Sequence, residues 1–151
     1  MPIRNGKLLK VNRWKYGDGM KLFQKQKIES FEKITWHISG MRGIRDYEVI
    51  LGDGVAEVFE YQRCYGKDKD DRQLERSGSC SVEEMLDLLN ECNVFGWNGF
   101  HGAHPKHVKD GEMFSFEATV NDGTVIKAEG SANFPKHFWD FQRAIGEILN
   151  G

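Results

Sequence analysis

Two alternating segments on either side of residues 121–123 constrain this chain most. Phe114, Phe116, Ala118 and Val120 alternate with Ser115, Glu117 and Thr119; beyond Asn121-Asp122-Gly123, Ile126 and Ala128 alternate with Lys127 and Glu129. A period of two places the apolar side chains on one face of a pleated strand and the polar ones on the other. Asn, Asp and Gly tolerate the positive φ that a tight reversal needs, so the segment predicts an antiparallel hairpin with one buried face. A face of that kind must be covered, and two helical patterns are available to do so. Ser81-Val82-Glu83-Glu84 has the order of a capping box, in which the Ser81 hydroxyl accepts from the Glu84 amide and the Glu84 carboxylate accepts from that of Ser81. Val82, Met85, Leu86, Leu89 and Cys92 then share one side of a helix, with Glu83, Asp87, Asn90 and Glu91 directed to water. Near the end of the chain Phe134, Phe138, Phe141, Ile145 and Ile148 recur at helical spacing, and Pro135 predicts the helix start because a missing N–H costs nothing in a first turn.

The first half repeats the theme loosely. Ile34, Trp36 and Ile38 alternate with Thr35, His37 and Ser39 up to Gly40 and Gly43. Tyr47 to Leu51 and Val55 to Tyr61 flank Gly52-Asp53-Gly54, a second hairpin signal. A short hairpin is expected between Leu8 and Lys27 around Gly17-Asp18-Gly19. The charged run from Lys67 to Arg72 reads as an exposed loop, and it lacks the alternating acids, central Gly and closing Glu of a calcium loop. The expected fold is α+β: an antiparallel sheet built of hairpins with two helices packed on one face, a loose ββα-ββα two-layer sandwich. One domain spanning 1–151 is expected, with 1–30 as a basic N-terminal segment.

Charge and cysteine usage narrow the classes. A net charge of -2 and a pI near 6.2 argue against a dedicated nucleic-acid binder. The charge is uneven: residues 1–27 carry eight Lys and Arg against Asp18 alone, locally +7, which leaves -9 for the rest. Cys64, Cys80 and Cys92 are widely spaced and odd in number, which predicts reduced thiols and a cytoplasmic address, with Cys92 buried. No segment approaches the ~18 apolar residues of a membrane span.

The series Trp97-Asn98-Gly99-Phe100, Asp110-Gly111, Phe114, Asp122-Gly123, Ala128, Gly130-Ser131 and Phe134-Pro135 resembles a group of uncharacterised bacterial proteins. That group carries a Trp-Asp-Gly-Phe-like segment, a DG-x-x-F strand, a DG turn and an A-x-G-S-x-x-x-P helix entry. This chain departs from it at Asn98 and in its histidine-rich insertion. The resemblance covers roughly the last 60 residues and implies a fold and a bacterial source, but it transfers no catalytic residue.

Chemistry is thinly signalled. His101, His104 and His107 recur at every third residue, and a polyproline turn held by Pro105 would bring them to one edge as a three-imidazole zinc site. Asp110 and Glu112 are the nearby carboxylates, whereas Lys106 and Lys109 would repel a cation. Cys64 follows Arg63 and His37 lies on a neighbouring strand, but three residues without a fixed geometry are not a triad. Ser131 has no nucleophile-elbow context, and no glycine pattern matches a phosphate loop. Trp14, Trp97 and Phe100 fall outside the clearest apolar stripes and are candidate partner-binding aromatics. The sequence therefore points to a non-enzymatic binding, accessory or immunity-like protein, a monomer or homodimer with a protein partner. The alternative is a metal-binding protein or metal-dependent hydrolase using the histidine loop.

Overall fold

The structure, a computed structural model, describes residues 26–109 and 111–151. Trp14, the basic end and the hairpin expected between Leu8 and Lys27 lie almost wholly outside these. The fold is α+β and mostly sheet. Among the described residues seven strands, β1 (Phe31–Gly40), β2 (Gly43–Gly52), β3 (Val55–Arg63), β4 (Gln73–Ser81), β5 (His101–Gly102), β6 (Met113–Val120) and β7 (Thr124–Ser131), lie in the order β4-β3-β2-β1-β6-β7-β5. All neighbours are antiparallel except β5, which runs parallel to β7 over two residues. Helices α1 (Val82–Glu91) and α2 (Phe138–Asn150) complete it. None of the described helices is long and apolar enough to cross a membrane.

Three turns set the register. Between β1 and β2 only Met41 and Arg42 intervene, and Gly43, at φ +114°, follows them. A Cβ there would sit 2.8 Å from the Arg63 carbonyl, so both the backbone conformation and the space require glycine. Asp53 and Gly54 both have positive φ, the geometry that matches the twist of paired strands. Asn121, Asp122 and Gly123 close the β6–β7 hairpin, also with positive φ throughout. The Asn121 side chain does more than turn: its Oδ1 accepts from the amides of Glu29 and Ser30, and its Nδ2 donates to the Lys27 carbonyl.

Alternation delivers the expected core. Ile34, Trp36, Ile38, Tyr47, Val49, Val58, Phe116 and Ile126 are all buried, together with Met85 and Leu89 from α1 and Phe138, Phe141, Ile145 and Leu149 from α2. The Trp36 ring stacks on Tyr47 at 5.0 Å and meets Phe141 at 5.0 Å, while its Nε1 donates to Gln142 Oε1 (2.9 Å). The capping box of α1 forms as expected, in both directions at 3.0 Å. Cys92 is buried, and burial, reinforced by the charges of Asp140 and Glu91, pushes its thiol up to about 11.

Three expectations need correction. Helix α2 begins at Phe138 rather than at Pro135, because His137 adopts φ +71° and the Pro135 carbonyl accepts from the Phe138 amide in a separate turn. On its apolar side Leu149, not Ile148, is the buried residue of the last turn. Asn90 does not face water: its Oδ1 accepts from the Ile28 amide (2.8 Å) and its Nδ2 donates to the Ile28 carbonyl (3.0 Å). That clamp seats Ile28, which is buried, and α1 thereby holds the chain as it enters β1. Asn90→Ala is expected to cost about 1–2 kcal/mol, since both backbone groups of Ile28 lose their partner, and a urea titration reads it as a lower midpoint with unchanged slope.

Candidate binding cleft

The apolar face of the sheet extends farther than the helices do. Beyond Trp36 and Tyr47, the same alternation continues as Ile38 and Gly40 on β1, Gly43 and Arg45 on β2, Gln62 on β3 and Glu112 just before β6. These residues floor a cleft of about 840 Å³, bordered by Met41, Arg42, Tyr65 and Met113, to whose lining neither helix contributes. That size suits a ligand site. Met41 is 92% exposed at the tip of the β1–β2 hairpin, with Tyr65 and Met113 each more than half exposed. The Tyr65 hydroxyl donates to the Gly40 carbonyl, which holds its ring against the hairpin.

Two polar groups converge on the floor. Arg45 Nη2 lies 3.3 Å from Glu112 Oε2, and Arg45 Nη1 donates to the Tyr47 hydroxyl at 3.4 Å. Behind them runs a chain of hydrogen bonds that is buried at its inner end. The Tyr47 hydroxyl donates to Glu60 Oε2 (2.7 Å), and Arg76 grips both Glu60 oxygens, from Nε at 2.8 Å and Nη2 at 3.0 Å. Arg76 Nη1 continues to Asn150 Oδ1 at the end of α2 (2.7 Å). Burial pushes the Tyr47 hydroxyl well above its ordinary range, assisted by its bond to the Glu60 carboxylate. Burial alone would raise the Glu60 carboxyl too, but the bonds from Arg76 and Tyr47 and the nearby guanidinium charges outweigh it and hold the group below its usual value. The network ties the back of the cleft to β4 and α2, so Arg45 stands on a fixed support.

On the opposite face, Asp46 is the one other buried charged residue among those described. Arg63 Nε donates to it at 2.7 Å and His37 Nδ1 lies 3.0 Å away. Arg63 Nη1 also reaches the Lys67 carbonyl, so the pair anchors the loop after β3. Phe59 and Tyr61 stack beside it, and the Arg72 guanidinium covers the Tyr61 ring at 3.7 Å while bonding Glu48.

The residues singled out from sequence are placed differently from one another. Trp97, a candidate partner-binding aromatic by sequence, is 3% exposed in the core, where its ring meets Phe116, Phe138 and Phe141 and its Nε1 donates to the Lys136 carbonyl (3.1 Å). Its burial follows from the 3-10 turn Val94–Trp97, which reverses the chain after α1 and drives the ring under α2. Phe100 is partly buried against Phe114, with its carbonyl accepting from Glu129. Asn98 Oδ1 accepts from the Lys127 amide (3.0 Å), a bond that Asp would make equally well at this position of the motif.

The three histidines are not brought together as a ligand set. His101 lies on β5 beside Glu129 at 3.4 Å. His104 has both ring nitrogens engaged, Nδ1 with the Ser131 hydroxyl (2.8 Å) and Nε2 with the Val108 carbonyl. His107 has φ +70°, incompatible with the polyproline turn that would have aligned it. Among the described residues no group of three or more His, Cys, Asp or Glu could hold a metal ion. Because a carbonyl can only accept, His104 donates from Nε2 to Val108. Its bond with Ser131 buckles the histidine loop to the end of β7.

Sequence reasoning missed the cleft and its floor. Arg45 and Glu112 are 67 residues apart in the chain, and no local pattern announces their meeting. The available signal was Gly40 and Gly43 bracketing a two-residue turn, which forces Met41 and Arg42 outward. No protein-family model, curated protein or solved structure matches the chain.

Proposed function

We propose that this protein is a non-enzymatic binding domain, of accessory or immunity-like type, which receives a segment of a partner polypeptide in the cleft at the end of its sheet. The observation that carries this reading is the exposure of Met41 and Tyr65 around a polar floor of Arg45, Glu112 and Gln62. Flexible thioether and aromatic side chains suit an irregular apolar partner surface, while a supported guanidinium provides orientation. We read the architecture as a two-layer sandwich with both helices on one face, which is what leaves the end of that face free.

The alternative, a metal-binding protein or metal-dependent hydrolase, has the spacing of His101, His104 and His107 behind it and no support from their geometry. Selection of random peptides displayed against the immobilised protein, followed by calorimetry with a selected peptide, tests the binding reading. The expected dissociation constant is about 1–100 μM, weakened at least about tenfold by Met41→Asp and unaffected by Ser79→Ala on the far edge strand. Recovery of no peptide, or of peptides indifferent to Met41→Asp, overturns it.

A further inference from the structure

We infer that the cleft recognises a carboxylate, and that Glu112 occupies the recognition position until the partner's carboxylate replaces it on Arg45. This inference rests on the reading of the cleft as a partner site and names the chemistry of its ligand.

The Arg45 guanidinium is poorly satisfied where it stands. Its two contacts are 3.3 Å to Glu112 and 3.4 Å to the Tyr47 hydroxyl, and its side chain is 39% exposed. Guanidinium–carboxylate bonds normally close to 2.7–2.9 Å and are often bidentate, so the present pairing is a loose one that a better-placed carboxylate can improve on. Glu112 is equally free to leave: its side chain is 43% exposed, it precedes β6, and it lies over Gly40.

The electrostatic balance favours the same ligand. Arg42 and Arg45 face Glu112 alone among the described charged residues that line the cleft, within a chain whose residues after Lys27 sum to -9. A cationic spot on an acidic body selects an anion there and repels it elsewhere. The Tyr47 hydroxyl behind Arg45 is itself tied to Glu60, which Arg76 holds, so this partner of Arg45 stays in place when Glu112 leaves. Met41 and Tyr65 would then receive an apolar group attached to the carboxylate.

The probe is 4-phenylbutyrate, which carries both parts, beside 4-phenylbutyramide, which has the same tail without the charge. Binding is followed by NMR shifts of the amide signals of the full chain. The acid is expected to bind at least about fivefold more tightly than the amide. Arg45→Gln should abolish that preference and Arg45→Lys should retain part of it. Glu112→Gln should tighten the acid about threefold or more, because it removes the internal competitor; as an exposed substitution it leaves the fold intact. Equal binding of acid and amide, or weaker binding to Glu112→Gln, overturns the inference. Failure of the peptide selection, with the acid preference intact, would overturn the polypeptide reading alone and leave a carboxylate site for a small molecule.

Discussion

Trp97→Ala is expected to lower the unfolding free energy by about 3–5 kcal/mol, the range found when a large aromatic is deleted from a packed core. The magnitude follows from its position. The indole is edge-on to Phe116 at 5.1 Å and to Phe141 at 5.7 Å, and lies against Phe138 at 5.6 Å, so its removal opens a void shared by β6 and α2. Neither side can collapse into it easily, because Phe116 is held by the pairing of β6 to both β1 and β7. Trp97→Phe should cost much less, about 1–2 kcal/mol, mostly for leaving the Lys136 carbonyl without its donor. Chemical denaturation of the two variants checks both values. A loss below about 1 kcal/mol for the alanine variant would mean that the ring is not a core element.

The second large effect concerns the buried carboxylate. Arg76→Met is expected to destabilise the protein by about 2–3 kcal/mol at pH 7; breaking a fully buried pair costs about 3–5 kcal/mol, and water already reaches the 38%-exposed Arg76 side chain. The loss should depend on pH. In the native protein the Glu60 carboxyl is held below its ordinary value of 4.5, so its contribution is complete above that pH and disappears as pH falls through the native value. Without Arg76, burial is opposed only by the Tyr47 bond and the Arg45 charge, so the Glu60 value rises toward or past that of the unfolded chain. The variant then loses at neutral pH a stabilisation that the native protein itself loses on protonation. The stability gap between the two proteins should accordingly narrow from pH 7 to pH 4 in paired urea titrations. A gap that stays constant or widens would show that Glu60 is not the group responsible.

How much was legible differs from element to element, and for physical reasons. The β6–β7 hairpin was readable because one face is buried and the other wet, which writes a period of two into the sequence. The capped helix α1 was readable because capping is local: Ser81 and Glu84 satisfy each other across three residues. Strand β4 left no such trace. Its sequence, Gln73–Ser81, is polar and serine-rich and it pairs only with β3 at the sheet edge; the residues it turns inward, Arg76, Gly78 and Cys80, alternate with exposed ones but form no apolar stripe. Gly78 in that strand marks instead the close approach of α2, since a Cβ there would lie 2.3 Å from the Ile148 carbonyl. Strand β5 pairs with β7 over only two residues, His101 and Gly102, too short for any pattern.

The sequence by itself determined the hairpins that turn at residues 52–54 and 121–123, the two helices, most of their buried faces and the burial of Trp36 and Cys92, because each depends on periodicity or on partners a few residues apart. Only the tertiary structure decided that Trp97 belongs to the core, that Asn90 clamps Ile28, that His101, His104 and His107 part company, and that Arg45 meets Glu112 at the end of the sheet. Those outcomes join residues from 19 to 67 positions apart, or turn on one backbone angle in a loop, and neither leaves a mark in local spacing.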